Sequence, residues 1–186
     1  MIRNGVRLKK SEAFRIFYEQ SKLDLYVKGA LPNPDLIEIR LYGELAKIPS
    51  LKNAKIPGMN FINPDVTAKL EALTTHWHKE CPSIINYRTE PIFLIAYLAP
   101  RSARFDEDNG IASIKDWLEP KHKKKGRTWG IGLIEDDTYV NAYGITWQRL
   151  GIQCDFTKII IRPFAQVKDT LKTFLAESQV CHLGNQ

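Results

Sequence analysis

The sequence predicts an α+β domain built on a small mixed sheet packed with helices. Three observations predict it. Apolar segments of strand length recur along the chain, segments with helical apolar spacing lie between them, and the order runs strand–helix–strand–helix before two further strands. At 186 residues the chain suits one domain with extensions and can bury a real core.

Taken in order, residues 1–34 form a basic arm and a helix, "SEAFRIFYEQ", whose Phe14, Phe17 and Tyr18 share a face. "LPNP" at 31–34 breaks the chain and marks the start of the main domain, expected over 35–165. "DLIEIRLYGE" alternates apolar and charged residues as a half-buried strand does. A loop, "IPSLKNAKIPGMN", and a short strand at "FI" follow. Asn63 then caps a helix with Pro64 in its first position, and Val66, Leu70, Leu73 and Trp77 line one side.

"PIFLIAYLA" lacks polar alternation, as expected of a buried central strand. An acidic stretch, "RFDEDN", leads into a helix through Ile111, Ile114 and Leu118 that stops at Pro120. After the basic loop "KHKKKGR", "GIGLI" reads as a strand. "NAYGITWQRL" and "FTKIIIRPF" read as two strands joined by a turn at Gly151, and residues 166–186 as a closing helix and tail.

The chain carries a net charge of +6 and a sequence pI near 9.2, which favours an anionic partner such as nucleic acid. Cys81, Cys154 and Cys181 show no paired spacing, so neither a disulfide framework nor a zinc site follows, and a reducing, cytoplasmic setting is expected. The basic N-terminus lacks the apolar core of a secretory signal, and no apolar run is long enough to span a bilayer, so no membrane partner is expected. No nucleotide-binding or nucleophile-elbow motif is present. His76 and His78 at i and i+2 of a helix diverge, and read as structural.

The clustered acids are the unusual feature. In an extended segment Asp106 and Asp108 point the same way, so their oxygens suit one hard divalent ion such as Mg²⁺. The competing reading is helix capping by Asp108 or Asn109, worth about 0.5–2 kcal/mol. That explains one acid well and three adjacent ones poorly, and the two readings are compatible. Glu135, Asp136 and Asp137 form a second group, which alone would be a solvated turn. If the two groups meet at one sheet edge, they make a metal site. Arg101, Arg104, Lys121, Lys123, Lys124, Lys125 and Arg127 would then form a rim that grips phosphate.

"APRSARFDEDNGIASIKDWLEP" followed by "GIGLIEDDTYV" resembles the RusA-like Holliday junction resolvases of bacteria and their phages. "IPSLKN" and "NFINPDVTAKLEAL" resemble that family's loop after the first strand and its second strand leading into the first long helix. The resemblance covers about residues 36 to 163 and implies a homodimer that cuts branched DNA with Mg²⁺, or with Mn²⁺ in its place.

Position by position it implies Asp106, Asp108 and Asp137 as metal ligands with Asp136 beside them, and matches Asn109 and Asp116 to the motif and its helix. Where the family carries a catalytic lysine, this chain has Ala112; the replacement expected is Lys115, about one helical turn on, or else a lysine of the 121–125 loop. Other readings remain open at this point: a branched-DNA-binding protein that does not cut, a nuclease for flaps or single strands, and a basic interaction domain in which the acids only cap and turn.

Overall fold

Residue placement is described by a computed structural model for 2–3, 6–7, 9–51, 63–81, 85, 87, 89–99, 107–121 and 127–183, with backbone alone at 2–3, 6–7 and 174–183. Two short strands, β1 (Ile2–Arg3) and β2 (Val6–Arg7), pair antiparallel. The main sheet holds β3 (Ser21–Lys28), β4 (Leu36–Gly43), β5 (Ile92–Leu98), β6 (Val140–Thr146) and β7 (Thr157–Pro163). Its order is β3-β4-β7-β5-β6, antiparallel except for the parallel pair β5 and β6. With α1 (Lys10–Glu19), α2 (Pro64–Glu80), α3 (Glu107–Leu118) and α4 (Phe164–Leu183), the fold is the mixed α+β class expected.

One face of the sheet carries the core. Ile37, Ile39 and Leu41 of β4, Ile92, Leu94 and Ala96 of β5, and Ile159 and Ile161 of β7 are fully buried on it. Strand periodicity puts every second residue on that face, and the helices cover it. Trp77 of α2 and Trp117 of α3 meet edge-on there, with centroids 5.9 Å apart. α3 lies so close over β6 that a β-carbon on Gly144 would come within 2.6 Å of Ile111 Cγ1. The Asn63 cap is formed as its sequence suggests: Asn63 Oδ1 accepts from the Asp65 N–H at 3.0 Å.

The opposite face presents Glu38, Arg40, Lys158, Phe93, Ile95, Tyr97 and Tyr143 in register. Glu38 bridges Arg40 at 2.5 Å and Lys158 at 2.9 Å across it. Trp147 stacks on Tyr97 at 4.8 Å and donates from Nε1 to the Phe156 carbonyl.

Three sequence expectations change. Residues 10–28 are not an arm outside the domain: α1 packs on α2, β3 pairs along the whole of β4, and Ala13, Phe17 and Leu23 join the core. "GIGLI" is not a regular strand; it wraps the end of α3 as described below. β6 and β7 are not hairpin neighbours, because β5 lies between them. Gly151 does turn the chain, at φ 70°, after a 3-10 turn over Trp147–Leu150. The short strand expected at Phe61 and Ile62 lies outside the described residues. No described helix is long and apolar enough to cross a membrane.

Candidate metal centre

α3 is the crossover between the parallel strands β5 and β6, so it runs against them. Its first turn therefore sits by the C-terminal end of β6: Glu107 Oε1 accepts from the Thr146 N–H at 3.2 Å, and Glu107 Oε2 meets Arg149 at 3.0 Å. Its last turn sits where the chain enters β6. Glu107 and Asp108 thus lie at the opposite end of a twelve-residue helix from Asp136 and Asp137, a separation of about 18 Å along the axis.

At the C-terminal end the chain builds a carboxylate cluster. The last carbonyls of a helix lack partners within it. Here the extended segment "GIGL" supplies them: Ile131 N–H donates to Trp117 O at 3.0 Å, Gly132 N–H to Glu119 O at 3.1 Å, and Leu133 N–H to Leu118 O at 2.8 Å. Gly130 makes that approach feasible. Its φ of 125° suits glycine, and a side chain there would run into the Glu119 carbonyl. This wrap delivers Asp136 and Asp137 beside Glu119. The Asp137 N–H donates to Glu119 Oε1 at 3.1 Å, and Asp136 Oδ1 accepts from the Thr138 N–H at 2.9 Å.

One carboxylate oxygen from each of Glu119, Asp136 and Asp137 lies within 4.8 Å of the others, the one such group among the described residues. Lys115 Nζ stands 3.6 Å from Asp137 Oδ2. Arg127 fixes the other side. It bonds Glu119 Oε2 at 2.6 Å and Asp116 Oδ1 at 2.9 Å, while its guanidinium lies 4.4 Å from the Trp129 ring centroid. Burial pushes the Asp116 carboxyl above its ordinary range. Arg127 opposes that, and the charges of Glu119 and Asp137 add to the upward push.

A group of hard oxygen donors, with no thiol or imidazole in it, fits Mg²⁺ or Mn²⁺ rather than a soft metal. Glu119, Asp136 and Asp137 are the residues that would hold it.

Of the residues singled out from sequence, the structure brings together Asp136, Asp137, Lys115, Asp116 and Arg127. Asp108 is exposed on the first turn of α3 and is not in the group. Asn109, beside it, is buried. Lys121 is exposed just after the cluster. Asp106, Arg101, Arg104, Lys123, Lys124 and Lys125 lie outside the described residues. Arg127, expected to grip DNA, is committed to two carboxylates and only 18 % exposed.

Glu119 was missed by the sequence reading. Its signal was an acid just past the end of a helix, where the dipole favours a cation. His76 is a structural residue, stacked on Tyr18 with centroids 4.3 Å apart and with Nε2 3.0 Å from the Tyr18 carbonyl oxygen. Comparison of the chain with protein-family models, curated proteins and solved structures found no match.

Proposed function

We propose that the chain is a divalent-metal-dependent endonuclease of the RusA-like kind, cytoplasmic and homodimeric, that acts on four-way DNA junctions. The observation that carries this reading is the convergence of Glu119, Asp136 and Asp137 beside Lys115. The motif resemblance supplies the substrate class, and the net positive charge suits a phosphate backbone.

When bound, a divalent ion supplies charge stabilisation and a water of lowered pKa. Asp137 is the centre of the arrangement, since it belongs both to the cluster and to the ligand set the resemblance implies. Arg127 holds Glu119, and Asp116 beside it, in place, so that this donor is oriented before any ion arrives. Lys115 sets a positive charge at the edge of the cluster, where a phosphodiester would develop negative charge during hydrolysis. Lys121 and the basic loop after it lie next in the chain and would meet the backbone.

A second reading, a junction-binding protein that does not cut, is favoured by Ala112. It is exposed on α3 at the position where the family carries its lysine. Incubating a labelled synthetic four-way junction with Mg²⁺ or Mn²⁺, against a linear duplex of the same sequence, separates the two. The nuclease reading expects paired symmetric nicks in the junction, absent in Asp137→Asn. Tight, salt-sensitive binding without nicks under either metal would favour the second reading. Glu119→Gln and Asp108→Asn, run alongside, report which acid completes the ligand set.

A further inference from the structure

We propose that the uncovered face of the main sheet is a platform for single-stranded DNA, whose bases stack on Phe93, Tyr143 and Trp147 while Lys28 and Arg162 take its phosphates. The inference draws on this face alone and does not rest on the nuclease reading.

The two faces of the sheet differ in cover. Leu94, Ala96, Ile159 and Ile161 on the helical side are 0 % exposed. Phe93, Ile95, Tyr97 and Ile160, which alternate with them, stay part-exposed, and Tyr143 beside Ile95 is 59 % exposed. The rings are spread along this face. Phe93 and Tyr97 share it on β5, and Tyr143, on β6, is diagonal to both. Diagonal neighbours on adjacent strands lie about 7–8 Å apart. That is roughly double the base rise of a duplex strand, a spacing an extended single strand can follow. Trp147 lies over Tyr97 at 4.8 Å, and its Nε1–H donates to the Phe156 carbonyl, so its ring is held in a fixed orientation.

The charges select the occupant. Among the described residues the strands present five cations on this face, Lys22, Lys28, Arg40, Lys158 and Arg162, against two carboxylates, Asp24 and Glu38. Both carboxylates are bridged within the face, Asp24 to Lys22 and Glu38 to Arg40 and Lys158. Lys28 and Arg162 are exposed and bridge no acid among the described residues. Arg162 lies directly opposite Phe93 in the register. A free cation next to an aromatic ring suits the phosphate and the base of one nucleotide. An apolar protein partner would instead have to bury those charges unpaired. A duplex keeps its bases stacked on one another, so the strand that offers them to these rings is single. With both carboxylates engaged, neither is left to accept from a ribose 2′-hydroxyl, which favours DNA over RNA.

The test is the fluorescence anisotropy of a short labelled oligothymidylate titrated with the full chain, in EDTA so that nothing is cut. The expected result is saturable binding, about tenfold or more tighter than to a blunt duplex at the same salt. Tyr143→Ala should weaken it about tenfold, and Tyr143→Phe, which keeps the ring, should bind like the parent. Arg162→Gln should flatten the log–log salt dependence by about 0.7, the share of one single-strand phosphate. Arg15→Gln, at an exposed arginine of α1 on the helical side, should change neither. No saturable binding up to about 100 µM, a duplex bound as tightly, or parent-like binding by Tyr143→Ala, shown folded by far-ultraviolet circular dichroism, would overturn the proposal. Tighter binding of oligouridylate would overturn the choice of DNA. Because binding is read without metal, its failure would leave the nuclease reading standing, and a chain that binds the strand but cuts no junction would leave this one standing.

Discussion

Arg127 shows how a residue acquires a role that its sequence context does not announce. In sequence it ends a lysine-rich run and reads as one more phosphate contact. Folded, its planar fork spans Asp116 and Glu119, two acids that would otherwise repel each other beside Asp137. Arg127→Gln should therefore cost about 2–3 kcal/mol of stability, read as a lowered urea midpoint. If Arg127 were instead a phosphate contact, the variant would keep its midpoint and show a weaker salt dependence of DNA binding. Lys in its place is not conservative, since an ammonium cannot bridge both carboxylates in one plane. At this scale the sequence disclosed which acids were unusual, Asp136 and Asp137 among them. It did not disclose their partners, because Glu119 reaches them only through the packing at the end of α3.

The elements were legible where local chemistry decides them. Asn63 and Pro64 start α2, the alternation of β4 fixes its buried face, and the continuous apolar run of β5 marks a strand flanked on both sides. They were less legible where the partner decides. β3 carries Lys22, Asp24 and Lys28 on the uncovered face, so it looks polar until β4 is set beside it. β6 and β7 are near in sequence but separated in the sheet by β5, which no turn signal reports.

The segment 130–134 has the apolar pattern of a strand, yet its N–H groups serve the carbonyls of α3. That wrap is what brings Asp136 and Asp137 to Glu119. Gly130→Ala should strain the φ of 125° and push the segment off the Glu119 carbonyl, costing about 2–4 kcal/mol. Divalent-ion affinity should fall with it. Unchanged stability by denaturant titration would mean that the segment does not need this close approach.

For the whole molecule, the α+β class followed from the order and periodicity of segments, because those report which faces must be buried. The relation between the acidic groups did not follow. Two clusters at strand ends can meet only if the chain turns them to the same end of the sheet. Here α3 carries the chain from one end to the other, leaving Asp108 at the far end from Asp137. On the proposed reading, a divalent ion is held where Glu119, Asp136 and Asp137 converge. The most direct measurement is a Mn²⁺ titration followed by the electron paramagnetic resonance of the free ion, on the parent chain and on Asp137→Asn, with Asp108→Asn as comparison. Saturable binding in the parent that is lost in Asp137→Asn and kept in Asp108→Asn is the predicted result. Binding that Asp137→Asn leaves unchanged, or no saturable binding in the parent, would contradict it.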